Sequence, residues 1–187
     1  MSDLPGHQAD PTAPIPDAHR TAGLGVRAVA RLIDFVLLGV VNVVVGVVLL
    51  GALLGQSGAM PLGAGASGVL AGSIGALLGA VINLSYFAVL ESRDGQTLGK
   101  RVASLRTVDA SGGVPSLEQA VRRNVWVGFG VAGVVPLVGG AIGGLAQLAA
   151  VVTIALTIAA DGSDGRGWHD RFAGATAVVP ADQGARR

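Results

Sequence analysis

The sequence contains no cysteine. That excludes a disulfide framework, a thiolate metal site and a thiol nucleophile. Charge is scarce too. Asp, Glu, Lys and Arg make up 13% of the residues, where an ordinary soluble domain carries about a quarter. Thirteen basic and 12 acidic side chains leave a net charge of +1. No basic field is available for a nucleic-acid backbone, so no nucleic-acid partner is expected. So few charges cannot coat a globule, which excludes a soluble enzyme as the default. What is there is apolar: 51% of the 187 residues are hydrophobic, and the mean hydropathy is +0.62.

The few charges are unevenly placed. Residues 35–90 carry none, and neither do residues 124–160. A helix crossing the hydrocarbon core needs about 20 apolar residues. Spans are expected at 32–54 and 67–90. The second gap, interrupted at Pro136 and Gly139-Gly140, divides into helices over 117–137 and 141–160. Val-rich stretches are helical here despite their strand propensity, because backbone groups in lipid must be paired within the segment. The expected fold is an all-α polytopic membrane protein with four transmembrane helices arranged as two hairpins. Lys and Arg cluster before the first span, between the second and third, and after the fourth. The positive-inside rule then puts both termini and the 91–123 loop in the cytoplasm.

Three polar regions flank these spans. Residues 1–22 form a Pro-punctuated tail expected to be disordered, without the pattern of a signal peptide. The domain proper runs over 23–180, and 181–187 form a flexible C-terminus. Within 91–123, a short helix is expected at about 97–103 and a short strand at about 105–109. Ser116 and Gln119 have the spacing of a capping box. A second short strand near 173–179 could pair with the first on the cytoplasmic side.

Few residues can carry chemistry. Asp34 is the acidic residue inside a predicted span. Arg27, Arg31 and Asp34 share a helix face at i, i+4 and i+7. A charge in lipid costs about 2.5–3.5 kcal/mol and usually pairs or faces a cavity. Asp34 is therefore either an ion, proton or substrate site, or half of an ion pair with Arg31 or Arg27. Asn42, Asn83, Ser85, Tyr86, Gln147, Thr153 and Thr157 lie at membrane depth and read as interhelical glue or as a small polar path. Gly68, Gly72, Gly75 and Gly79 continue into Asn83 and Tyr86 as a stripe suited to close helix approach.

Gly95, Thr97, Gly99 and Lys100 suggest a phosphate loop, but Asp94 and Arg101 stand where that motif needs Gly and Ser or Thr. Glycines there serve a tight turn, with Lys100 facing headgroups. His169 and Asp170 alone do not make a metal site, and no Gly-x-Ser-x-Gly elbow is present. No cofactor, metal or enzymatic activity is expected.

Three ordered signatures resemble those of the RDD family of small bacterial membrane proteins. The first is Arg27, Ala30, Ile33 and Asp34. The second is Gly95, Thr97, Gly99 and Lys100, followed by Val108-Asp109 and Arg122-Arg123. The third is His169, Asp170, Ala173, Gly174, Val178 and Val179. Trp168 departs from the aliphatic residue usual there. The family is named for one arginine and two aspartates, which the match assigns to Arg27, Asp34 and Asp170. The resemblance implies a multi-pass protein of the bacterial inner membrane. It also implies a transport role, read here as cation- or proton-coupled, with Asp34 as the intramembrane carboxylate; because four thin helices leave a cramped pathway and the glycine stripe offers a packing face, a homo-oligomer is expected. The other reading is a non-transporting scaffold or envelope assembly factor in which Arg27, Arg31, Asp34 and Asp170 form a structural clasp. The partners expected are the lipid bilayer, further copies of the chain and a small cation.

Overall fold

The computed structural model describes residues 21–55, 64–161 and 165–183. The expected tail, the inter-span connector and the extreme C-terminus lie wholly or largely outside them. Among the described residues three helices are long and apolar enough to cross a membrane. These are α1 (Leu24–Gly55), α2 (Ala64–Asp94) and α5 (Gly139–Ala160). Their most apolar windows are only 6%, 11% and 17% buried within the protein. Surfaces that apolar, left uncovered, match lipid rather than water. The chain is a membrane protein.

The expected fourth spanning α-helix over 117–137 is not formed. Its place is taken by α4 (Leu117–Asn124), opened by the Ser116–Gln119 capping box, and a 3-10 helix, Val125–Val134. Gly128, Gly130 and Gly133, interleaved with valines, are poor α-formers, and the tighter helix still pairs its own backbone. At about 2.0 Å per residue, ten residues descend about 20 Å. The descent runs from Trp126, packed with Phe87, to Val134, whose carbonyl accepts from Ser73 Oγ at 3.0 Å. Gly143 of α5 lies against the Phe129 carbonyl. The chain therefore makes a fourth descent that is shallower than a span and not α-helical, and both ends of the domain meet at one end of the bundle.

That end is a polar cap. It contains α3 (Leu98–Val102), β1 (Leu105–Val108), α6 (Trp168–Phe172) and β2 (Ala177–Pro180). The strands pair antiparallel, with Leu105 opposite Pro180 and Val108 opposite Ala177. Val178 O also accepts from Ala22 N at 2.8 Å, which ties the start of α1 to β2. Gly95 (φ +70°) brings its carbonyl to Thr107 N at 2.7 Å. A Cβ there would lie 2.6 Å from the Thr107 carbonyl, so this turn requires glycine.

Beneath the cap sits an aromatic layer. Phe35 meets Phe87 and Trp126 edge-on, each at 6.1 Å. Deeper, Asn42 Nδ2 donates to Asn83 Oδ1 at 2.9 Å. Gly79 is where the glycine stripe meets α1, since a Cβ there would come 2.9 Å from Asn42 Oδ1. Gly68, Gly72 and Gly75 have open space instead, so the stripe packs α1 at one end only. The polar residues of the spans do not converge on one path. Thr153 and Thr157 bond back to their own helix and receive Trp168 Nε1 and N at 3.1 and 3.0 Å.

Candidate functional site: a buried charge network at one end of the bundle

At 1.5 Å per residue, the 32 residues of α1 extend about 48 Å, well past a hydrocarbon core of about 30 Å. The surplus leaves the first turns of α1, with Arg27, Arg31 and Asp34, free to belong to the cap rather than to the hydrocarbon. Glu91, near the end of α2, is fully buried. Its Oε1 receives Lys100 Nζ at 2.5 Å. Its Oε2 receives Asn124 Nδ2 at 2.9 Å and faces Arg123 Nε at 3.6 Å. Lys100 Nζ also donates to Thr107 Oγ1 at 2.6 Å. One carboxylate thus ties α2 to α3, β1 and α4. Burial pushes the Lys100 ammonium down to about 8, against the opposing pull of Glu91.

Asp170 on α6 is the second buried carboxylate. Arg123 Nη2 lies 3.0 Å from its Oδ1 and Arg27 Nη1 lies 3.9 Å from its Oδ2. Gly167 N donates to Oδ2 at 3.1 Å, and Thr176 Oγ1 to Oδ1 at 3.3 Å. Burial alone would raise the Asp170 carboxyl. Arg123, His169 and Arg27 outweigh it and hold the group below the usual range. Arg27 also donates to Gly165 O at 2.7 Å and Val178 O at 3.2 Å. This fixes α1 to the segment that follows α5.

Asp34 is not ion-paired with Arg27 or Arg31, as the helix-face spacing suggests. Neutral donors hold it: Tyr86 Oη and Gly99 N to Oδ1, both at 2.7 Å, and Thr97 Oγ1 to Oδ2 at 2.6 Å. Thr97 in turn caps α3 by accepting from Lys100 N. The reason is geometric. A Cβ on Gly99 would run into the Ala30 carbonyl, so the glycine lets the α3 backbone lie on α1 and offer its N–H to the carboxylate. Arg31 turns away to Asn124 Oδ1 at 3.1 Å, with its guanidinium over Phe87 at 4.2 Å. The Gly95-to-Lys100 loop is therefore a docking device. Its flanking Asp94 and Arg101, which break the phosphate-loop motif, pair with each other at 2.5 Å on the surface.

The RDD family model matches residues 21–174. The chain belongs to the RDD family. No curated protein and no solved structure matches it. Of the RDD letters, Arg27 and Asp170 meet directly. Asp34 joins them only indirectly, through α3, Lys100, Glu91 and Arg123. Sequence reasoning missed Glu91 and Asn124, the hub of this RDD network. One signal was available: Glu91 is the first charge after a long uncharged run, and a charge that ends a span has to find a partner.

His169 adds a pH dependence. Burial pushes it down to about 4, with Asp170 opposing and Arg123 and Arg31 reinforcing. Unfolded, the imidazole titrates near 6.5. Between those values the unfolded chain binds the extra proton, so stability falls as pH drops from about 6.5 to 4. The slope approaches about 1.4 kcal/mol per pH unit. Thermal unfolding of the detergent-solubilised protein should show this slope, and His169→Asn should flatten it. A wild-type curve already flat over that window would refute the assignment to His169.

Proposed function

We propose that the protein is a non-enzymatic, non-transporting module of the bacterial inner membrane, in which the RDD residues clasp the polar cap onto the helices. By the positive-inside rule the cap and both ends of the domain face the cytoplasm. The observation that carries this reading is the state of Asp34. It is 1% exposed and engaged by donors from α2 and α3. A carboxylate that already bridges three elements acts as a joint.

A second reading, cation- or proton-coupled transport through Asp34, is favoured by one fact: Asp34 lines a cavity of about 290 Å³ beside α1. The two readings separate on mutation. Under the clasp reading Asp34→Ala loses charge-assisted hydrogen bonds worth about 1.5–3 kcal/mol each, unfolds at lower temperature and accumulates poorly. Asp34→Asn, which keeps an acceptor for Tyr86 and Gly99, loses less. Proteoliposomes should show no proton or sodium flux that depends on residue 34. A wild-type flux that Asp34→Asn abolishes at unchanged stability would establish transport instead.

A further inference from the structure

The same cavity has an uneven lining. Arg27, Arg31, Lys100 and Arg123 lie at its polar end, with Asp34 and His169. Its apolar lining comes from Val151, Ile154, Ala155 and Ile158 of α5 and from Leu32 and Phe35 of α1. Leu32 is 63% exposed and Val151 41%. The cavity therefore reaches the apolar surface between α1 and α5, the surface that lipid covers.

Three features of the polar end point to an anion. First, four cations share the network with three carboxylates, Asp34, Glu91 and Asp170, so one positive charge is uncompensated within the set. Second, donor atoms in the lining are buried with no hydrogen-bond partner: Arg31 Nη1, Arg123 Nη1 and Arg27 Nε. Arg123 is 2% exposed, so water does not satisfy these groups freely, and a buried donor left unpaired is costly. Third, Arg31 and Arg123 carry planar forks suited to phosphate or carboxylate oxygens.

The size decides how much of a ligand enters. About 290 Å³ is at the lower end of ligand-sized pockets, roughly 300–1,000 Å³. It accommodates a compact headgroup and the start of a chain. Basic pockets between membrane helices are a recognised setting for anionic headgroups.

We propose that this cavity binds an anionic membrane amphiphile, its phosphate or carboxylate against Arg31 and Arg123 and its acyl chain leaving between Leu32 and Val151 into the bilayer. The site adjoins the Asp34 clasp and shares residues with it, but uses donor atoms that the clasp leaves unengaged.

The test is binding to the purified full-length chain in a zwitterionic detergent, read by native mass spectrometry and thermal shift. Three probes are compared: phosphatidylglycerol, phosphatidylcholine and glycerol 3-phosphate. Phosphatidylglycerol should bind at one molecule per chain, about tenfold or more tighter than phosphatidylcholine, and raise the unfolding temperature. Glycerol 3-phosphate, which has the anion without the chain, should do neither. Ala155→Trp fills part of the cavity without replacing a charged residue, and should lose about tenfold or more in phosphatidylglycerol affinity. Ala155→Leu, a smaller intrusion, replaces it if the tryptophan variant does not fold. Equal binding of both phospholipids would overturn the proposal. So would equal binding of glycerol 3-phosphate, which would mark a site for a free anion. Undiminished binding by a folded Ala155 variant would place the lipid elsewhere and overturn it too.

Discussion

Arg123→Met is expected to lower stability by about 3–5 kcal/mol, the usual cost of removing one partner from a buried ion pair. Arg123 is 2% exposed and stands between Glu91 at 3.6 Å and Asp170 at 3.0 Å. Its loss leaves Asp170 facing Arg27 at 3.9 Å and removes the link between α4 and α6. Arg123→Lys should fall between, since an ammonium cannot fork to two carboxylates as a guanidinium does. Adding Asp170→Asn to Arg123→Met should recover part of the loss, because the buried carboxylate left with only the distant Arg27 is then gone. Tryptophan fluorescence from Trp126 and Trp168 during thermal unfolding in detergent provides the measurement. Unfolding of Arg123→Met at the wild-type temperature would show that the network contributes nothing to stability.

Gly99→Ala is the second change with a large expected effect. The added methyl would run into the Ala30 carbonyl and come 2.9 Å from Asp34 Cγ. Neither neighbour can yield easily, since one is helix backbone and the other is held by Tyr86 and Thr97. Overpacking costs about 1–3 kcal/mol, and displacing α3 also sacrifices the Gly99 N–H bond to a carboxylate, about 1.5–3 kcal/mol. The variant should unfold well below wild type. Gly128→Ala is the matched control, because a Cβ there meets nothing within 4 Å. It should be neutral, or stabilising by about 0.4–1 kcal/mol through the unfolded state. Equal behaviour of the two variants would refute close packing of α3 on α1.

The legible part of this protein was whatever depends on solvent preference. Uncharged runs located α1, α2 and α5, because transfer to lipid is a sum over residues and survives without knowledge of packing. The Ser116 cap and the β1 strand were legible for a similar reason: both are set by neighbours a few positions away. The 3-10 helix was not legible. Its sequence is apolar enough for a span, and its glycines only weaken an α-helix, while the fit of Gly133 and Gly143 against neighbouring elements depends on packing that no local pattern shows. The charge network was half legible. Helix-face spacing correctly grouped Arg27, Arg31 and Asp34 on α1, but their partners come from residues about 50 to 150 positions away. Nothing local indicated that Asp34 would be held by neutral donors while Arg27 turned to Asp170.

The antiparallel pairing of β1 with β2 joins an early segment to a late one, and α6 supplies Asp170 beside it. In the order of synthesis, Glu91, Lys100 and Arg123 are all made before their network can be completed. Until residues 165–180 emerge, Arg123 has no Asp170, Arg27 has no Gly165 carbonyl, and the unpaired edge of β1 is exposed. Long sequence separations of this kind slow folding, and the waiting intermediate offers charges and a strand edge to other molecules. A chain stopped short of β2 would hold its helices in lipid while leaving the cap open and the edge of β1 unpaired.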